Sequence, residues 1–250
     1  MNDDQYLEFS PGAAVNLHLE HVSILTADLK KMGAILEMRG LAPGEPARSA
    51  DGNTYLGIKD PDQIEIRFVR YMPVSQQTEH RGKALGVWRV SDHLQHIGLA
   101  SDNEAASMAL YRDKLDFREL FRGGPTPGEI RWINLAAPGT TGDIVELMIM
   151  ASQPVQGRRH IAFEVPDIKR AYKQLVDQGL PDRFKANPGP TQNHRWILNL
   201  RDPNGIRVEF MGEPVIDQAR TWRGLQACSI ETQTLTSEVI GYFRIDVETV

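Results

Sequence analysis

The chain has 250 residues, 41% of them hydrophobic, with a formal net charge of −5 and a single cysteine, Cys228. That is enough apolar material for one large or two small packed domains, while the acidic balance offers no basic field to a nucleic-acid backbone. One thiol excludes an intrachain disulfide, no run reaches the ~20 apolar residues of a membrane span, and the N-terminus lacks a basic segment leading into an apolar one, so a cytoplasmic protein without nucleic-acid or membrane partners is expected.

In chain order, a short N-terminal arm (1–14) precedes a first unit at 15–72, which reads as strand 19–26, helix 28–40, a Pro- and Gly-rich loop, and β-rich sequence 54–72. A polar linker (73–92) follows. The second unit, 93–150, reads as strand 94–100, helix 102–115 and strands 117–123, 130–137 and 143–150. The third, 157–212, reads as strand 159–166, helix 167–180, a short strand within 183–190, and strands 195–202 and 206–211. The order βαβββ recurs, and so does local wording, since Arg131-Trp132-Ile133-Asn134-Leu135 answers Arg195-Trp196-Ile197-Leu198-Asn199-Leu200. The tail, 213–250, opens on a helix or loop at 213–225. It closes on two β-rich runs, 227–236 and 238–250, that can form a hairpin completing a sheet edge left open by the first unit. The fold class is therefore α+β, built from repeated βαβββ modules.

The repeat carries chemistry. Glu146 follows His96 by 50 residues and Glu209 follows His160 by 49, each residue lying in an apolar strand-like run. Side chains alternate faces along a strand, so Gly98 shares a face with His96, and Ala162 with His160, while Ile97, Leu99, Ile161 and Phe163 face the helices. The flanking valines place Glu146 and Glu209 on the helix-free side as well. A lone His or Glu in a strand is usually a hydrogen-bonded or ion-paired residue, but the same pairing written twice points to a metal site between the second and third units. In the first unit His21 takes the His position. Laying DPDQIEIRF (60–68) on DPNGIRVEF (202–210) without a gap gives Arg67 the Glu209 position and puts Glu65 two residues early. A cation there repels a metal, so this unit is expected to be degenerate; a two-residue register shift that restores Glu65 keeps the same face.

With these residues in hand, residues 15–212 resemble the vicinal oxygen chelate superfamily of glyoxalase I, bleomycin-resistance proteins, methylmalonyl-CoA epimerase and extradiol dioxygenases. The resemblance rests on the βαβββ order, the DPxGxxxEF turn and strand from Asp202 to Phe210, and the four His/Glu positions. It implies that paired modules form an open eight-stranded cup with the metal inside. A His₂Glu₂ set of His96, Glu146, His160 and Glu209 is similar to that of bacterial glyoxalase I. Such ligands suit one divalent ion, Zn, Ni, Co, Mn or Fe, and no organic cofactor is implied. A metal that chelates a carbonyl and its neighbouring hydroxyl acidifies the C–H between them. Glu146 or Glu209 could then move the proton, and the intact motif favours Glu209. The expected function is a metal-dependent lyase or isomerase acting on a small molecule with adjacent oxygens.

Two alternatives stand beside it. An extradiol-type Fe(II) dioxygenase uses two His and one Glu, matching His96, His160 and Glu209, with His194 as the catalytic histidine; against it, Asn199 replaces a Tyr, Glu146 adds a carboxylate, and such enzymes usually carry four modules. A ligand-sequestering protein of the bleomycin-resistance type needs no metal, and Trp132, Trp196, Phe163 and Phe210 could serve as its stacking platform, although parity places most of them in the core. Arg131, Arg195 and Asn199 are candidates for substrate binding, the arginines for an anionic group. An unpaired first module can also meet its copy across a twofold axis, which allows a homodimer.

Overall fold

The alternating and apolar runs of the sequence fold as fourteen strands in two sheets in the computed structural model, which describes residues 5, 7–10, 19–83, 85–126, 128–139, 142–149, 159–181, 187–202, 205–214 and 243–248. The first sheet runs β1 (Leu7–Ser10), β14 (Phe243–Glu248), β2 (Leu19–Leu25), β5 (Glu65–Arg70), β4 (Thr54–Lys59), β3 (Ala47–Arg48). The second has eight strands: β11 (Gly189–Pro190), β12 (Arg195–Arg201), β13 (Arg207–Pro214), β10 (His160–Glu164), β6 (His93–Ser101), β9 (Ile144–Ile149), β8 (Trp132–Ala136), β7 (Arg118–Gly123). Each unit contributes four strands in the same spatial order, its first strand parallel to its last.

A helix follows the first strand of every unit, and each starts on an Asx cap, whose side chain accepts the otherwise unsatisfied amides of the first turn. Asp28 accepts from Lys31 N at α1 (Leu29–Met38), and Asp167 accepts from Lys169 N and Arg170 N at α4 (Ile168–Asp177). A short α2 (Gln76–His80) lies in the linker. Asn103 caps α3 (Glu104–Met108), which continues as wider π-type turns over Ala109–Lys114, where the consecutive Leu110 and Tyr111 are both buried. Among the described residues no helix is long and apolar enough to cross a membrane.

The second and third units join edge to edge. β6 and β10 run antiparallel with Ile97 opposite Ile161, which sets His160 opposite Gly98 and His96 opposite Ala162, so a pseudo-twofold passes between the two isoleucines. The eight-stranded sheet curls into a half-barrel: Gly124, just past β7 at one edge, donates its amide to Gln192 Oε1 (3.3 Å) next to β11 at the other. On the first sheet, β14 runs antiparallel to β2 and β1 parallel to β14, the arrangement that β6 and β9 hold against β10. The free edge of the first unit is thus taken by the tail strand and the N-terminal arm; the run 227–236, expected as the other half of a hairpin, lies outside the described residues.

One apolar cluster spans both sheets, from Val22, Phe68, Met32 and Leu36 in the first unit to Leu99, Tyr111, Ile133 and Leu147 in the second. A smaller one lies under α4, built on Ile168, Ala171, Leu198 and Phe210. Polar contacts cross between the first two units. Tyr111 Oη donates to Asp60 Oδ2 (3.1 Å), and Arg39 pairs with Asp116 (2.8 Å). The side-chain amide of Gln5 exchanges hydrogen bonds with the backbone of Leu94 and donates to Asp143.

Candidate metal centre

Two homologous turns decide the register of the carboxylates. Asp60 Oδ1 accepts from Ile64 N (2.7 Å), and Gln63 holds a left-handed conformation (φ 67°); Asp202 Oδ1 accepts from Ile206 N (2.8 Å), with left-handed Gly205 (φ 87°). The turns therefore superpose without a gap, and the strands leave them in the same phase. Glu209 stands opposite Ala162 and Arg207 opposite His160, whereas in the first unit Arg67 stands opposite Ser23 and Glu65 opposite His21. The first unit's equivalent of Glu209 is an arginine.

That arginine makes the first unit's His/Glu group an internal ion-pair cluster. Arg67 pairs with Glu65 (2.8 Å), contacts His21 Nε2 (3.0 Å) and lies over the Tyr55 ring (4.3 Å). Burial, reinforced by the positive charges of Arg67 and Lys59, pushes the His21 pKa down to about 3. No member of this group belongs to a potential metal-ligating cluster among the described residues.

Between the second and third units the donors converge. His96 Nε2 and His160 Nε2 lie 3.1 Å apart, the rings meeting edge to face, and Glu209 Oε2 is 3.4 Å and 3.6 Å from them. Nitrogens about 2.0–2.1 Å from one metal and separated by an angle of about 90–110° lie about 2.9–3.4 Å apart, so this pair fits a single ion. His96, His160 and Glu209 are buried, and their ligand atoms all lie within 4.8 Å of one another. Glu146 Oε1 comes within 3.3 Å of His160 Nε2 but is not part of that three-residue group. Of the four residues singled out by the repeat, three form one donor set and the fourth borders it.

The surroundings explain how the imidazoles are held. A Cβ on Gly98 would come within 2.0 Å of His160 Nδ1 and Cε1, so only glycine lets that ring lie across β6. Gln95 Oε1 is 2.9 Å from His96 Nδ1, and an acceptor there puts the proton on Nδ1 and leaves the Nε2 lone pair for a metal. Burial alone would raise the Glu209 pKa, but His160, His96 and Arg207 outweigh it and hold the carboxyl down at about 2.

Arg207 escaped notice in the sequence, although it lies two residues before Glu209 and so shares its face. Its Nη2 contacts His160, and its Nε is 3.3 Å from Glu209 Oε1. Asn134 lies opposite Glu146 and Asn199 opposite Glu209, one on each side of the pseudo-twofold. Asn134 is buried and Asn199 exposed. Arg131 is ion-paired to Glu129, and Arg195 is bound to Glu164 Oε1 (2.6 Å) and Gly212 O (2.8 Å), so carboxylates engage both guanidiniums. His194 is exposed, with left-handed φ (58°), at the end of the Thr191–His194 turn. Phe163 stacks on Phe210, and Trp196 packs against the cluster under α4, as parity requires.

Residues 93–210 match the model of the Glyoxalase/Bleomycin resistance protein/Dioxygenase superfamily. No curated protein sequence matches the chain. Among solved structures, the fold is similar to the Mn(II)-bound glyoxalase from Novosphingobium aromaticivorans (18% identity, TM-score 0.57, covering 78% of this chain and 63% of that one). It is also similar to the 2,3-dioxygenase LapB from Pseudomonas sp. KL28 (16%, TM-score 0.55, 74% and 67%) and to homoprotocatechuate 2,3-dioxygenase from Brevibacterium fuscum in complex with 3,4-dihydroxyphenylacetate (17%, TM-score 0.55, 77% and 61%). The chain thus spans about two thirds of the length of these structures, and the likeness is one of fold.

Proposed function

We propose that this protein is a divalent-metal-dependent lyase or isomerase that removes a proton beside a carbonyl of a substrate bearing two adjacent oxygens. His96, His160 and Glu209 would hold the ion, and three protein ligands leave coordination positions for both substrate oxygens. When bound, the ion supplies Lewis acidity, polarising the carbonyl so that the neighbouring C–H becomes acidic. The observation that carries the reading is the second carboxylate. Glu146 Oε1, 3.3 Å from a nitrogen of His160, stands at the edge of the donor set, where it could take a proton from a bound substrate. The half-barrel and the apolar face beneath it keep bulk water from the buried imidazoles.

The Fe(II) ring-cleaving reading has one observation in its favour: the donor set that converges is His₂Glu, the facial arrangement of non-haem iron oxygenases. Its acid–base histidine finds less support, because His194 is exposed in a turn and Asn199, not a tyrosine, stands opposite Glu209. Protein loaded in turn with Zn, Ni, Co, Mn and Fe separates the two. With α-hydroxycarbonyl probes in D₂O, proton NMR should show deuterium entering the carbon beside the carbonyl without oxygen consumption. Fe²⁺-dependent oxygen uptake with catechols, and no exchange, would establish the dioxygenase instead. Tight ligand binding by chelator-stripped protein would favour the sequestering type.

A further inference from the structure

Consecutive side chains of a regular strand point to opposite faces, yet Gln95 and His96, neighbours on β6, meet: Gln95 Oε1 lies 2.9 Å from His96 Nδ1. The register explains how. Ala162 stands opposite His96, and the next residue of β10, Phe163, stands opposite Leu94, so β6 carries one extra residue, Gln95, in a β-bulge. A bulge interrupts the alternation and re-aims a side chain, here at one of the two imidazoles of the centre. Both Gln95 and His96 are buried.

The strand beside the bulge also leaves backbone to satisfy. Pairing of β6 with β9 begins at His96 opposite Ile144, so buried Leu94 lies beyond the end of that ladder, and its amide and carbonyl need partners. The carboxamide of Gln5 supplies them: Oε1 accepts from Leu94 N (2.9 Å) and Nε2 donates to Leu94 O (2.8 Å). Nε2 also donates to Oδ1 of Asp143 (2.9 Å), the residue just before β9. A carboxamide suits this place because it offers two N–H donors beside an acceptor. Gln5 is only 2% exposed, and two residues later the same arm becomes β1 at the edge of the first sheet, where Leu7 packs on the apolar cluster that spans both sheets. The carboxamide is thus held from behind while it ties the start of β6 to the start of β9.

We propose that Gln5 is a positioning residue for the metal centre: it locks Leu94, the residue before the bulge, and so keeps Gln95 aimed at the His96 ring. The route runs through neighbours, from the Gln5 carboxamide to the Leu94 backbone, from Leu94 to Gln95, and from Gln95 Oε1 to His96 Nδ1. Without the carboxamide the bulge loses its brace, and Gln95 is free to return to the face away from His96. The inference rests on the metal centre of the proposed function and holds for whichever reaction that centre performs.

Co(II) titration of the full chain against a competing chelator, with circular dichroism to confirm folding, reads affinity, and the visible Co(II) spectrum reads ligand geometry. Gln5→Met keeps the bulk of the side chain but removes its hydrogen bonds to Leu94 and Asp143. It should weaken cobalt binding by about tenfold or more and shift the spectrum, as the loss of an outer partner of a ligating histidine does. Gln95→Met should do the same, and the double variant should be no worse than either single one, because both changes act through one imidazole. Gln5→Asn, too short to span Leu94 and Asp143 together, should show the same change and serves if the methionine variant does not fold. Tyr111→Phe, which removes a hydrogen bond between the first and second units, should lower stability with wild-type affinity and spectrum, and so separates positioning from general destabilisation. Wild-type affinity and spectrum in a folded Gln5 variant, or losses that multiply in the double variant, overturn the inference and leave the metal centre standing. A wild-type chain that binds no cobalt overturns the metal centre and the inference with it.

Discussion

At the scale of single residues, the centre depends on small side chains as much as on its ligands. Gly98 is the sharpest case, since any side chain there would meet His160 at a distance no packing tolerates. Gly98→Ala should therefore push the His160 ring aside and cost about 1–3 kcal/mol, the usual range for overpacking, with loss of bound metal. Thermal melting beside metal content checks this; unchanged metal occupancy would mean that the ring does not need its place over Gly98. Two signals in the sequence point to the candidate centre: the repeated spacing picks out the His/Glu positions, and strand parity puts all of them on one face. The same parity rule could have found Arg207 from its place two residues before Glu209.

At the scale of elements, the Asp-Pro turns are the decisive local structures, and they were legible because the Asp cap, the left-handed fourth position and the following Ile recur. They anchor a gapless alignment, so Arg67 takes the place of Glu209 and His21 is buried beside a guanidinium. The turn and the histidine also leave a signature in stability. Burial, opposed by hydrogen bonds from Ile64 and Tyr111, raises the Asp60 pKa from 3.8 to about 6, so its contribution favours the fold at low pH and is lost as pH rises through 6. For His21 the folded value of about 3 lies below the ordinary 6.5, so its contribution is present above 6.5 and lost as pH falls through 3. Each contributes a slope of about 1.4 kcal/mol per pH unit, and between the Asp60 values of 3.8 and 6 the two oppose each other. Asp60→Asn removes one of them. Urea denaturation at a series of pH values should then show stability rising with pH across this window more steeply than in the wild type; parallel profiles would contradict the account.

At the scale of the whole molecule, one apolar cluster runs through both sheets, so the first unit is part of the body that supports the His96–His160–Glu209 cluster. The hydrogen bond from Tyr111 to Asp60 joins the two halves. Tyr111→Phe should lower stability by about 1–3 kcal/mol, as expected for a bond to a partly ionised carboxyl, and shift one cooperative transition without changing metal affinity. Two separate transitions would show that the halves fold independently. The pairing of the second and third modules could be read from the repeat. The covering of the first unit's free edge was only half legible: the tail's β-rich run foretold β14, but the pairing of β1 with β14 joins the two ends of the chain and leaves no local signal.

The account stands on one metal ion held by His96, His160 and Glu209, and metal content per chain tests that most directly. Elemental analysis of wild type and His96→Ala, each dialysed against the same divalent ion and then freed of unbound metal, should give about one equivalent for the wild type and little for the variant. Equal occupancy in the two, with the variant folded, would contradict it.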